Sequence, residues 1–313
     1  MTEPQSLIPI GVERNASKLY VVGNGFDLWH GIASSYGGFR SFVKARDRKL
    51  FQTIEDYLPA GDDWADLEGA LASIDIDSIV DDLCHFMASY GSDDWSDAGH
   101  HDFQYEVDGV VERLSVGLRK WFADWIRQLE IPSGATAKNR LRTLDAEGVF
   151  LTFNYPPALR EIYGVPDANV LHIHGQAAMK DEDLVLGHAW DPTTRPSLND
   201  RPDIEDIDTR MAEANDILDR YFSATFKPSE RLVQDNQQFF DALNGIKEVG
   251  VLGHSLSEVD ARYFVALLNT QSVSTAKWTV ACRFDSDRTK MREKLKSLGV
   301  QTSCIVTALW GEL

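Results

Sequence analysis

Between Lys49 and Arg113 the chain has no lysine or arginine, while aspartate and glutamate recur throughout. That stretch carries most of a formal net charge of −18, which comes from 49 acidic against 31 basic residues. A surface of this sign repels nucleic-acid phosphates, so broad electrostatic binding to DNA or RNA is excluded unless a separate basic groove exists. The acidic run reads either as a solvated helical surface or as a docking face for a basic partner.

Long apolar runs are also missing. No window approaches the roughly 18 apolar residues that a membrane helix needs. The N-terminal MTEPQSLIPIGVERN lacks the basic-then-apolar order of a leader. No membrane association and a cytoplasmic location are the expectation. Cysteine is scarce: Cys84, Cys282 and Cys304 are far apart and odd in number, the last two in the apolar settings TVACRF and TSCIV. They read as buried thiols of a reducing compartment and cannot build a zinc knuckle, so no metal is expected.

What remains is the balance of a globular protein, 43% hydrophobic and 26% charged over 313 residues. A tail to about Ser17 precedes the apolar strand Leu19–Val22. From Ser41 to Leu129 the spacing is helical, with Trp64, Leu67, Leu71 and Ile74 on one face. A second face carries Val107, Val111, Leu114, Leu118, Trp121 and Trp125. This aromatic stripe reads as core rather than a cofactor box. Strands are expected at Gly148–Phe153, Asn169–Ile173 and Leu184–Leu186, then helices at Ile204–Phe222 and Glu230–Leu243. The last third alternates: strand Glu248–Leu252, helix Glu258–Leu268, strand Lys277–Cys282, helix Asp285–Leu298, strand Gln301–Val306. Such alternation predicts an α/β fold, a Rossmann-like parallel sheet over 18–44 and 136–313, with an acidic helical subdomain inserted at 45–135.

Four strand ends carry the candidate chemistry. After the first comes Gly23-Asn24-Gly25-Phe26-Asp27, where glycines let the backbone approach a pyrophosphate, although the spacing is not G-x-G-x-x-G. After the second comes Thr152-Phe153-Asn154-Tyr155. Its Asn154 can hydrogen-bond a ribose or hold a water, or else cap the helix begun by Pro156 and Pro157. The third ends in His172-Ile173-His174-Gly175, where alternation puts both histidines on one face and leaves His174 as a candidate general base. The fourth gives Gly253-His254-Ser255-Leu256 with Asp260. It resembles a nucleophile elbow, but Ser257 stands where the closing glycine belongs, so a turn contacting phosphate or ribose is preferred.

Together with WADLE around Trp64 and Glu68, and LGH at Leu186–His188, these pieces resemble the AbiH family of bacterial phage-abortive-infection proteins. The likeness rests on LYVVGNGFDLWHG, FLTFNY, LHIHG and VLGHSLSEVD. More distantly the chain is similar to sirtuin-like NAD-consuming domains. Gly23-Asn24-Gly25 stands for the sirtuin Gly-Ala-Gly, Phe39-Arg40 for the Phe-Arg closing the cofactor loop, Asn154 for the sirtuin Asn, His174-Gly175 for the catalytic His-Gly, and Gly253-His254-Ser255 for a Gly-Thr-Ser. Pro156 replaces an expected acidic residue and the zinc cysteines are absent, so the resemblance implies NAD hydrolysis rather than deacetylation. In that reading His174 is the base and Asn154 orients ribose and water. Gly23, Asn24, Gly25, Phe26, Asp27, Gly175, Gly253, His254, Ser255 and Asp260 contact the nucleotide, with Arg40 closing over it. Two other readings stand beside it: a metal-dependent hydrolase or nuclease built on His172, His174, His188 and His254, and a nucleotide or ADP-ribose sensor without turnover. Partners are then NAD or a related nucleotide and a phage or host protein on the acidic helices; homo-oligomerisation is left open.

Overall fold

The computed structural model describes residues 16–88, 99–181 and 184–313. The expected N-terminal tail lies outside them except for Ala16 and Ser17. The chain forms two compact units, one of Met1–Ser35, Ile126–Leu184 and Pro228–Leu313, the other of Tyr36–Trp125 and Val185–Lys227.

The first unit is built on six parallel strands: β1 (Lys18–Val22), β2 (Val149–Thr152), β3 (Val170–His172), β4 (Glu248–Leu252), β5 (Lys277–Cys282) and β6 (Ile305–Leu309), in the order β3-β2-β1-β4-β5-β6. This is the Rossmann-like α/β sheet expected from the alternation of apolar runs. Near-continuous apolar strands are what a doubly covered parallel sheet requires, because each face needs its own core. Alternate residues of β1 divide accordingly. Leu19 and Val21 join Leu151, Val249, Val251, Tyr263, Phe264 and Trp278 in one cluster. Tyr20 and Val22 join Phe26, Phe150, Leu159, Ile162 and Trp310 in the other. β1 pairs with β2 on one side and β4 on the other, with Val21 opposite both Leu151 and Val251. The strand order reverses here, and an open α/β sheet leaves its ligand crevice at such a point, beyond the carboxyl ends of the strands.

The second unit is helical, with Tyr36–Arg46, Arg48–Tyr57, Ile76–Leu83, Asp102–Glu112 and Thr209–Ala224 among its elements. Asp47 caps the second of these, accepting from the Leu50 amide at 2.9 Å. Phe39 sits at the centre of its core against Trp64, Phe122 and Trp125. The aromatic stripe is therefore packing, as the spacing implied. A five-residue π turn, Arg113–Gly117, interrupts the second stripe and leaves Trp121 only partly buried. Glu68 accepts from Tyr36 Oη at 2.5 Å and from Lys227 Nζ at 2.5 Å, and Lys227 is only 1% exposed.

Several elements depart from expectation. Leu184 and Leu186 are buried but form no strand. Nearby, His188 makes a single bridge with Phe226, and a Cβ on Gly187 would overlap the Thr225 carbonyl oxygen. Their apolar pattern reflects packing rather than a ladder. The last strand begins at Ile305, after a short turn at Thr302–Cys304, and runs to Leu309. As an edge strand with Val306 exposed, it lacks the apolar continuity of the inner strands. The helix expected from Ile204 starts at Thr209, because the Asp208 side chain caps it at the Arg210 amide. The helix expected over Glu230–Leu243 is two, Ser229–Asp235 and Gln237–Asp241, parted at Asn236. Trp64, Leu67, Leu71 and Ile74 are all buried, but not by one helix, since Asp63 and Trp64 have positive φ. Of the three thiols expected inside, Cys84 is exposed just after Ile76–Leu83, Cys304 is half-buried and Cys282 is buried. No helix of the described residues is long and apolar enough to cross a membrane.

Candidate functional site

Three glycines interlock the ends of β1 and β4. The Gly23 amide donates to Leu252 O at 3.0 Å and the Gly25 amide to Gly253 O at 2.8 Å. A Cβ on Gly23 would stand 2.6 Å from His254 Cα, and one on Gly25 2.8 Å from Gly253 Cα. Gly253 itself has φ +71°, and its Cβ would meet the Phe26 nitrogen at 2.1 Å. The glycine pattern thus answers to backbone touching backbone, and two of its N–H groups are already committed. Asn24 and Ser34 bond each other, and the Asn24 amide also donates to Ser34 O at 2.8 Å. Phe26 lies wholly in the core, against His30 and Tyr163.

Asp27 follows on the short helix Asn24–Trp29 and is 1% exposed. Burial pushes its carboxyl up to about 7, opposed only by a hydrogen bond from Asn154. Asn154, just past β2, donates from Nδ2 to Asp27 Oδ1 at 2.9 Å and to Gly23 O at 3.1 Å. A backbone carbonyl can only accept, which fixes the amide orientation, spends both N–H donors and leaves Oδ1 as an acceptor. Asp27 Oδ2 is buried without a partner.

β3 ends at His172, so the strand alternation does not extend to His174, and the two histidines do different things. The His172 ring donates from Nδ1 to Asn154 O at 2.9 Å, and burial lowers its pKa. His174, 3% exposed, places Nε2 at 3.3 Å from Tyr263 Oη and 4.0 Å from Asp260 Oδ1. Gly175 turns the chain with φ +88°. Arg127 then holds the following loop, donating to Ala177 O at 2.8 Å and Met179 O at 2.6 Å.

The end of β4 completes the cluster. His254 Nδ1 accepts from the Leu256 amide at 2.9 Å, so the ring proton sits on Nε2, 3.4 Å from Asp260 Oδ2. Leu256 pays for this turn with φ +53°, a left-handed conformation unusual for a leucine. Phe153 lies edge-on to His174, His254 and Tyr263, at 5.1, 4.3 and 5.3 Å between ring centres. Ser255 is exposed, and its carbonyl accepts from Lys294 Nζ at 2.7 Å.

The structure therefore brings Gly23, Gly25, Asp27, Asn154, His174, Gly253, His254 and Asp260 to neighbouring strand ends. Arg40 belongs to the helical unit, where Glu55 holds its guanidinium through two bonds at 3.0 and 3.1 Å. Sequence reasoning missed Phe153, Tyr263 and Lys294. Tyr263 had a signal, since Asp260 and Tyr263 are three apart on one helical face. Among the described residues no three His, Cys, Asp or Glu side chains are arranged to hold a metal ion.

The family model Bacteriophage abortive infection AbiH matches residues 19–282. The chain belongs to the AbiH family. That match runs from β1 through β5 and so contains all the candidate residues above except Lys294. Comparison of this AbiH chain with curated proteins and with solved structures gives no match.

Proposed function

We propose that this AbiH-family chain serves abortive infection by hydrolysing NAD at the bond between nicotinamide and ribose, with the strand-end cluster as the site. The observation that carries the reading is that Asn154, past β2, is fixed on Asp27 and Gly23 at the end of β1, while His174, past β3, reaches Tyr263 and Asp260 beyond the end of β4, so both lie on the groups that flank the β1–β4 reversal of the sheet. Departure of nicotinamide leaves positive charge on the ribose C1′, which favours acceptor oxygens nearby and a positioned water. Asn154 Oδ1 is such an acceptor. His174 takes a proton from the water as its oxygen bonds to C1′ and the bond to nicotinamide breaks. Asp260, 3.4 Å from His254 Nε2, and Tyr263 flank the His174 ring and keep it in place. Ser255 beside the Lys294 ammonium is the part chemically suited to a phosphate.

The test is nicotinamide release by the purified chain. His174→Ala and Asn154→Ala are each expected to lower it by about 10²-fold or more, the usual worth of a positioned acid–base group. Release unchanged from wild type in both variants would refute the proposal, and unfolding temperatures matching wild type show that any loss is not misfolding. Binding of ADP-ribose without any nicotinamide release would leave a binding module.

A further inference from the structure

Within the cluster, one polar atom has no partner. Asp27 Oδ1 is taken by the Asn154 amide, while Oδ2, buried in a residue 1% exposed, meets no donor. Leaving a buried carboxyl oxygen unpaired is costly, so such an atom marks a place where a donor belongs. Its neighbour is alike: Asn154 has spent its donors and has an oxygen left. With the Asp27 carboxyl ionised, the two remaining atoms are both acceptors. A phosphate brings only acceptors and negative charge and satisfies neither, whereas a sugar hydroxyl can donate to each.

Resting on the reading that this site takes NAD, we propose that Asp27 is its ribose-binding residue, with Oδ2 accepting a hydroxyl of the ribose next to nicotinamide alongside Asn154 Oδ1. The end of the glycine turn then reads sugar rather than phosphate. This agrees with the Gly23 and Gly25 amides being committed to the end of β4. Oδ2 is closed to solvent, so entry of the hydroxyl requires a local opening of its wall. Accepting the bond favours the ionised carboxylate. From β2 the group facing Asp27 is the Asn154 amide. On its own helix, His30 is engaged by Phe26 O and Tyr163 Oη, and no charged side chain is a cause of the raised Asp27 pKa. Near pH 7 binding therefore releases part of a proton.

The experiment is titration calorimetry of the full chain with ADP-ribose, and with ADP as the probe lacking the second ribose, at pH 7 in two buffers of different ionisation heat. ADP-ribose is expected to bind about 10-fold or more tightly than ADP, releasing about half a proton. Asp27→Asn keeps the shape and an oxygen for Asn154 but puts an N–H₂ in place of Oδ2. It should lose that preference and the proton release. Equal affinity for ADP and ADP-ribose in wild type, or an unchanged preference in Asp27→Asn, would overturn the assignment of Asp27 alone. The wild-type comparison decides even if the variant does not fold. Failure of wild type to bind either ADP-ribose or NAD would instead overturn the site reading, and this inference with it.

Discussion

Replacing Gly253 by alanine tests whether the glycines at the β1 and β4 ends are there for packing. The residue has φ +71°, which for an alanine costs roughly 1–2 kcal/mol by itself. Its added methyl would also stand 2.1 Å from the Phe26 nitrogen and 2.4 Å from the Gly25 carbonyl carbon. Both are backbone atoms, so no side chain can swing away, and overpacking of this kind adds about 1–3 kcal/mol. The expected total is about 2–5 kcal/mol. Gly245→Ala is the control, because Gly245 has φ +96° but nothing within 4 Å of its Cβ position, so only the conformational cost applies. Urea unfolding followed by tryptophan fluorescence measures both variants. Gly253→Ala should lie about 1–3 kcal/mol below Gly245→Ala. Equal midpoints would refute the interlock and return these glycines to a role in ligand binding.

The buried Asp27 carboxyl also predicts a pH dependence. Its pKa is raised from 3.8 to about 7, so between these values the folded chain holds a proton that the unfolded chain has released. Its contribution to stability is therefore full below about pH 4 and lost as pH rises to about 7, by about 4 kcal/mol. Urea midpoints of wild type relative to Asp27→Asn should fall over that window, and parallel profiles would refute the shift. In the helical unit, Glu68→Ala removes the carboxylate that accepts from buried Lys227 and should cost about 1.5–3 kcal/mol, the worth of a hydrogen bond to a charged group. The double variant Glu68→Leu with Lys227→Met should recover most of it, and equal losses in single and double variants would count against a buried-charge origin.

The sheet was legible because its inner strands are fully covered. VFLT and KLYVV are nearly continuous apolar runs bounded by glycine or polar residues, a pattern with few other solutions. Edge and loop segments were misread for the same reason in reverse. Leu184 and Leu186 are buried without a ladder, and β6 shows solvent a side that inner strands do not. The Trp64 region carries helical spacing, yet positive φ at Asp63 and Trp64 breaks the helix. Periodicity reports which residues are buried, not the backbone that buries them.

The same limit governs the site. Strand-end position makes Asn154, His174 and Asp260 candidates, because topology alone brings such residues together. What each atom is free to do could not be read, since it depends on partners distant in the chain. The Gly25 amide, which as a sequence feature suggests a phosphate, is spent on Gly253 O, 228 residues away by number. Asn154 likewise has its donors fixed by Gly23 and Asp27, and this turns a residue able to donate or accept into one that only accepts. The chemistry of the cluster follows from these commitments. With Asp27 ionised, acceptors gather around Asp27 and Asn154, and the cation Lys294 stands by the exposed Ser255, so on the proposed reading the nucleotide offers hydroxyls to the first and negative charge to the second. A ligand with phosphate at both ends cannot meet that demand, and one with a sugar at one end and phosphate at the other can.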